Sequence, residues 1–317
     1  MKAQAVVFTE PGRLELREVT LRDAEPDEVI VATDFSSISS GTERLLFSGK
    51  LPGFPHLRFP FVPGYEAAGT VQSVGRDVNG IKAGDEVFVG GSMCYTDVAA
   101  AFGGQSSHLI KKAAQVIPLH GIPLAQAPLL ALAATALHGV RRLGEVTPGD
   151  RVAVLGLGAV GRLAAGFLHA AGAHVVLVDR SAERLADAPG AERVDVSQIP
   201  LEESLTTPVK HAIEATGDPG QIARCARILQ PGGNILLLSY YDQIVTPFVD
   251  LFVKEANLLV SREWAPPDLI GARDAIASGA VDISHLADHV VPIGRYEAAY
   301  ETAFNDPSVL KVMLQWA

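Results

Sequence analysis

The chain has 317 residues, 48% of them hydrophobic and 20% charged, and a formal net charge of −10. That length and apolar content suffice for two domains with substantial cores, while the acidic balance argues against nucleic acid or an anionic membrane surface as a partner. Only two cysteines occur, Cys94 and Cys225, so neither a disulfide framework nor a cysteine cluster for zinc is expected, in keeping with a reducing, cytoplasmic setting. The start MKAQAVVFTE lacks the charged and apolar regions of a secretion signal, and the apolar stretch 128–137 is too short to span a bilayer, so no integral membrane segment is expected.

In chain order, the first 110 or so residues read as strands and turns: 3–9, 13–19 after the Pro11-Gly12 turn, 28–34, 67–74 and 85–89. Many short strands without intervening helices suggest a small, partly closed barrel. A helical pattern then takes over at 123–143. From there strands (152–155, 175–178, 211–214, 234–239, 257–260) alternate with crossovers that include 160–171 and 219–229, which is what a parallel doubly wound sheet needs. The chain ends on a helix near 268–278, a strand at 289–293, a helix at 296–304 and a strand at 309–316, best explained by a crossing back that completes the first domain.

The second domain is organised around the turn after residue 155. Gly156, Gly158 and Gly161 fit G-x-G-x-x-G, with an apolar strand before, a small-residue helix after, and Asp179 at the end of the next strand. Gly156 permits the tight turn, Gly158 lets the backbone approach a pyrophosphate, and Gly161 lets the helix pack close to the strand. Ala159 and Val160 complete the turn at the helix N-terminus, where unpaired N–H groups and the helix dipole favour phosphate. Asp179 suits the adenosine ribose hydroxyls and repels a 2′-phosphate, so NAD is expected over NADP. Arg180 complicates that preference, since it can stack on adenine or tolerate the phosphate. Thr216 and Ser239 follow later strands at their C-terminal ends, where such sheets bind their ligand.

Several separated stretches carry a resemblance: Pro63-Gly64-Tyr65-Glu66-Ala67-Ala68-Gly69, Gly84-Asp85-Glu86-Val87, the glycine-rich turn, and Leu310-Lys311-Val312-Met313-Leu314. Together they resemble the medium-chain dehydrogenase/reductase superfamily over essentially the whole chain. This resemblance implies a GroES-like, partly open β-barrel catalytic domain over 1–123, a Rossmann NAD-binding domain over 124–264, and a return segment, 265–317, that completes the catalytic domain. Narrower stretches, Ser36-Ser37-Ile38-Ser39-Ser40-Gly41-Thr42-Glu43-Arg44-Leu45-Leu46, Phe102-Gly103-Gly104 and residues 129–136, look like the bacteriochlorophyllide a dehydrogenase branch. That branch implies oxidation of the 3-(1-hydroxyethyl) group of a tetrapyrrole substrate to acetyl. Relatives often form a homodimer through the edge strand near 258–260.

Zinc-dependent members of the superfamily hold a catalytic metal with a cysteine, a histidine and a later cysteine or acid. The matching places here carry Ser39, Tyr65 and, counting back from His138, approximately Ala131. A hydroxyl, a phenol and a methyl group do not replace thiolate and imidazole, so no catalytic zinc is expected. Tyr65, with Ser39, Thr42 and Glu66 as relay partners, stands where the metal would be. It either accepts the hydroxyl proton or simply fills that space. An unperturbed phenol has a pKa of about 10, so Tyr65 acts as a hydrogen-bonding relay unless a neighbour lowers it. Between the two motifs, residues 47–61 hold four phenylalanines, which form either an apolar wall for a flat macrocycle or part of the barrel core, and Arg44, Lys50 or Arg58 could pair with a propionate. Two other functions stay open: a zinc-free quinone or enone reductase, and a non-catalytic NAD(H)-binding protein.

Overall fold

In the computed structural model, which describes residues 1–50, 57–287 and 289–317, β1 (Lys2–Glu10) feeds two cores at once. Ala3, Ala5 and Val7 enter a cluster with Val19, Val62 and Ile110. Val6 and Phe8 join Ile38, Phe61, Tyr300 and Phe304 instead. Successive side chains on a strand point to opposite faces, so a strand covered on both sides must be apolar in both files.

β2 (Arg13–Thr20) pairs back on β1 through the turn at Gly12, whose φ of 82° favours glycine. There follow β3 (Glu28–Ile38), α1 (Thr42–Phe47), β4 (Phe61–Val62), β5 (Ala67–Val74), β6 (Glu86–Val89), β7 (Ala99–Ala100), β8 (His108–Lys112) and β9 (Val116–Pro118). Next in the chain come α2 (Leu130–Arg142), β10 (Arg151–Leu155), α3 (Ala159–Ala170), β11 (His174–Asp179), α4 (Ala182–Ala186), β12 (Glu192–Asp195), α5 (Leu201–Ser204) and β13 (Val209–Glu214). The remainder is α6 (Gln221–Ile228), β14 (Leu229–Leu237), α7 (Phe248–Phe252), β15 (Asn257–Val260), α8 (Pro266–Ala277), β16 (His289–Pro292), α9 (Tyr296–Asn305) and β17 (Val312–Gln315).

Residues 1–131 with 283–317 form one compact unit, and residues 132–282 the other. In the first unit, one sheet runs β2-β1-β4-β7 and a second runs β16-β17-β3-β5-β6-β9, with β8 also on β3. The returning β17 pairs antiparallel with the end of β3, Val312 opposite Ile38 and Met313 opposite Ser37, which sets Lys311 beside the turn that follows β3. In the second unit the sheet order is β12-β11-β10-β13-β14-β15 with every neighbouring pair parallel. Val152, Ala153, Val154 and Leu155 of the central β10 are all buried, as a strand covered by helices on both faces demands. The strand order reverses at β10, between β11 and β13, and such a switch point opens a crevice at the strands' C-terminal ends.

Where the sequence suggests divisions at 123/124 and 264/265, the compact units divide after Ala131 and after Asp282. The reason is visible in α8. Its Asp268 carboxylate accepts hydrogen bonds from His138 (2.8 Å) and Arg141 (2.5 Å) of α2 and from the Ala265 N–H (2.8 Å), tying 265–282 into the second unit. β15 is the open edge of the parallel sheet, with Val260 and nearby Phe248 and Phe252 of α7 exposed; this is the face to which the homodimer expectation refers. Among the described residues no helix is long and apolar enough to cross a membrane.

Candidate functional site

Three of the four expected catalytic side chains converge in the first unit. Ser39 follows directly on β3, Thr42 opens α1, and Tyr65 stands just before β5. The Tyr65 hydroxyl lies 2.9 Å from Ser39 Oγ and 3.4 Å from Thr42 Oγ1, and its ring meets the Phe102 ring edge-on at 5.1 Å. Burial pushes the pKa of this phenol well above its ordinary value, and the nearby Glu66 and Glu43 carboxylates push the same way, against the pull of the two hydroxyls. Tyr65 is therefore a neutral phenol at physiological pH. It can pass a proton along a chain of hydroxyls, and it does not serve as a standing phenolate base.

The fourth residue, Glu66, is fixed by a different set of partners. Neighbouring residues of an extended segment diverge, and the Glu66 carboxylate pairs with the Lys311 ammonium at 2.6 Å and accepts the Ser37 hydroxyl. Both members of this ion pair are almost fully buried. Lys311 reaches it because β17 runs alongside β3.

A second buried carboxylate, Glu43, completes the cluster. Its Oε1 accepts the Ser39 N–H (3.0 Å) and the Gln105 side-chain amide (3.3 Å), and its Oε2 accepts the Tyr300 hydroxyl (2.7 Å). Complete burial raises its pKa to about 7; Glu66 adds to the rise, while the Ser39 N–H, Tyr300 and Lys311 oppose it. Gln105 also donates to the Ser37 carbonyl (3.0 Å) and accepts from Ser36 (2.6 Å), so one amide braces the whole turn. The composition and motif reading passes over Glu43. A signal was available: Ser40-Gly41-Thr42-Glu43 has the S-x-x-E spacing of a helix-start capping box, which turns an acid back on the preceding backbone. In the structure that acid takes the Ser39 N–H, with Gly41 at the cap position.

The positions that match zinc ligands in related enzymes do not fit the metal. They hold a serine hydroxyl, a phenol whose pKa is pushed up, and the buried methyl of Ala131. A neutral phenol and a hydroxyl are poor substitutes for thiolate and imidazole. Among the described residues no group of three His, Cys, Asp or Glu side chains is placed to hold a metal ion. The aromatic segment divides: Phe47 and Phe61 pack on Phe8 at 5.1 and 5.6 Å, and Phe59 lies on Phe61 at 4.8 Å, so these three build the barrel core. Phe54 lies outside the described residues. Arg44 sits over the Phe304 ring, Arg58 bonds the Leu57 carbonyl, and Lys50 is exposed.

The second unit carries the expected nucleotide elements. Gly156 has a φ of 89°, and a Cβ there would lie 2.8 Å from the Ala215 carbonyl carbon and from the Thr216 nitrogen. At Gly161 a Cβ would lie 1.9 Å from the Gly156 oxygen. At Gly158 it would meet nothing within 4 Å, so this glycine leaves open space ahead of the N-terminus of α3, formed by Ala159 and Val160. That space and the uncapped helix N–H groups fit a pyrophosphate. Asp179 is buried at the end of β11, its two oxygens accepting the Leu157 N–H (2.8 Å) and the Ser181 N–H (2.9 Å); Arg180 beside it is exposed. Beneath the turn, buried Arg162 holds the Leu157 carbonyl (3.2 Å) and the Arg184 carbonyl (2.8 Å). The turn at Thr216 is tied to Glu214, which accepts the Thr216 N–H (2.8 Å) and the Thr216 and Tyr241 hydroxyls, and Ser239 faces Gly217 across it. Burial raises the Glu214 pKa. Arg162, Glu214 and Tyr241 are not evident from the glycine pattern, because Arg162 and Glu214 act on backbone that the motif itself leaves unnamed and Tyr241 acts on the Glu214 carboxylate.

Comparison with known proteins agrees with this fold. Residues 25–121 match the model described as alcohol dehydrogenase GroES-like domain, and residues 159–278 match that described as zinc-binding dehydrogenase. A 2-desacetyl-2-hydroxyethyl bacteriochlorophyllide A dehydrogenase of Cereibacter sphaeroides is 36% identical, with 100% of this chain and 99% of that one covered. Its counterpart in Rhodobacter capsulatus is 35% identical, at 100% and 99% coverage. Among solved structures, an Escherichia coli oxidoreductase of unknown specificity superposes with a TM-score of 0.90 at 19% identity, each chain covered in full. An E. coli alcohol dehydrogenase complexed with NADH gives 0.87 at 20% identity, with 99% of each chain covered.

Proposed function

This chain belongs to the medium-chain dehydrogenase/reductase superfamily, and we propose that it is a zinc-independent, NAD-dependent dehydrogenase that oxidises the 3-(1-hydroxyethyl) group of a bacteriochlorophyllide to acetyl. The observation that carries the proposal is the Ser39–Tyr65–Thr42 hydroxyl cluster, in which Ser39 and Tyr65 stand at positions related enzymes use for metal ligands. It is supported by the full-length similarity to two proteins named for this substrate.

A metal in such a pocket would lower the alcohol's pKa and stabilise an alkoxide. The proposed substrate lessens that need. Its carbinol carbon is attached to a conjugated macrocycle, so positive character developing as hydride leaves spreads into the ring. NAD, when bound, accepts that hydride. The chain's own residues orient the hydroxyl and relay its proton: Tyr65 accepts the carbinol proton as it gives its own to the partly exposed Thr42 hydroxyl, which gives one in turn to solvent water, so the ketone forms with one proton released to solvent. Because the Tyr65 pKa lies well above neutrality, this concerted exchange avoids a free phenolate.

For the cofactor, the Gly158 space, the α3 N-terminus and Asp179 support NAD. Replacing Asp179 with alanine is expected to weaken NAD binding by roughly 1–3 kcal/mol through loss of a charged hydrogen bond to ribose. Titration of NAD by calorimetry checks this, and an unchanged affinity would refute the assignment. The function itself is tested by supplying 3-hydroxyethyl bacteriochlorophyllide a with NAD and following the absorption shift of the acetyl product. No shift, together with turnover of an enone by NADPH, would indicate the reductase chemistry instead.

A further inference from the structure

Three buried ionisable groups stand behind the hydroxyl cluster, and the oxidation proposed above uses none of them directly. Glu66 and Lys311 neutralise one another. Among the described residues no cation pairs with Glu43; it accepts from the Ser39 N–H, the Gln105 amide and the Tyr300 hydroxyl. All three are donors, and a carboxylate has the lone pairs for all of them. A protonated carboxyl serves them less well: a proton on Oε1 confronts the Ser39 and Gln105 N–H groups, and a proton on Oε2 turns the Tyr300 hydroxyl from donor to acceptor and leaves the Ser39 N–H a neutral, weaker acceptor. The ionised form therefore holds the Ser39 N–H the more firmly, through a charge-assisted bond, and Ser39 carries the hydroxyl that meets Tyr65.

We propose that Glu43 is a positioning residue for the proton acceptor, and that the enzyme works with Glu43 ionised and falters when it takes a proton. The inference rests on the oxidation reading above. A second effect acts in the same direction: an ionised Glu43 leaves the cluster one unit negative, which favours positive character on the carbinol carbon as hydride departs. The groups facing Glu43 are Tyr300 on α9, Gln105 ahead of β8, Glu66 and Tyr65 ahead of β5, and Lys311 ahead of β17.

The test is kcat against pH, with 3-hydroxyethyl bacteriochlorophyllide a and NAD saturating, for wild type, Glu43→Gln and Tyr300→Phe. The wild-type kcat is expected to rise by about tenfold per pH unit on the acid limb and to level above a midpoint near 7. In Glu43→Gln the limb disappears and the rate is low throughout. In Tyr300→Phe the limb moves to higher pH, because the lost hydroxyl no longer stabilises the ionised carboxylate. A Glu43→Gln enzyme that keeps the limb and loses rate by one constant factor overturns the proposal, as does an unmoved midpoint in Tyr300→Phe should the glutamine variant fail to fold.

A stability measurement separates this inference from the substrate reading. A carboxyl whose folded pKa is raised binds its proton better in the native state, so its contribution is fully present below 4.5 and is lost as pH rises to about 7. Wild-type stability against urea should fall across that window more than the stability of Glu43→Gln. That outcome, in a protein that turns over no hydroxyethyl pigment, upholds the titrating carboxylate and sinks only the substrate. Parallel stability curves overturn the carboxylate's part.

Discussion

Lys311→Met is expected to lower the unfolding free energy by about 3–5 kcal/mol, the usual cost of stripping one partner from a buried ion pair. The side chains of Lys311 and Glu66 are 4% and 0% exposed, and their charged atoms are 2.6 Å apart. Methionine matches the lysine stem and removes only the charge, so packing changes little and Glu66 is left a buried, uncompensated charge beside the Ser37 hydroxyl. Pairing Lys311→Met with Glu66→Gln should recover much of the loss, because the unpaired charge then goes too. Equilibrium urea unfolding of the two single variants and the double variant measures this. A single-variant cost below about 1 kcal/mol would mean that the pair is solvated and behaves as a surface bridge.

Gly161→Ala and Gly158→Ala should separate packing from ligand space. An alanine Cβ at 161 falls 1.9 Å from the Gly156 carbonyl oxygen, so α3 or the turn must move. The expected cost is about 2–3 kcal/mol of stability, near the upper range for overpacking, and NAD affinity is expected to fall with it because the displaced turn is the proposed seat of the cofactor. At 158 the added methyl meets no protein atom within 4 Å. Stability should stay within about 1 kcal/mol of wild type, the scale of a weakened helix cap. NAD affinity should nevertheless drop by about tenfold or more, 1.4 kcal/mol of lost contact. Thermal unfolding and NAD titration on both variants provide the check. If Gly158→Ala bound NAD normally, the open space before α3 would not be the phosphate seat.

The parallel sheet was legible because its strands are continuous apolar runs and its crossovers show helical spacing; β12 (Glu192–Asp195) escaped because Glu-Arg-Val-Asp, with only Val194 buried, has no such signature. β3 runs four residues beyond the expected end at 34, since the Ser36 and Ser37 hydroxyls, bonded to Gln105 and Glu66, make polar residues acceptable inside the sheet. The meeting of Ser39, Thr42 and Tyr65 followed from aligned motifs. The role of Glu66 did not, because its partner Lys311 is 245 residues away in sequence and arrives only through strand pairing. Glu43 was obscured for a related reason. Its significance comes from full burial between Tyr300 and Gln105, neither of which is near it in the chain.

The central claim is that hydroxyl groups, with no metal, receive the proton while NAD takes the hydride. It is tested most directly by assaying protein freed of divalent metal with a strong chelator, with metal content measured, against 3-hydroxyethyl bacteriochlorophyllide a and NAD. The account predicts the acetyl pigment at an undiminished rate in metal-free protein, and a large loss of kcat in Tyr65→Phe. Activity that vanishes on chelation and returns with added zinc would contradict it.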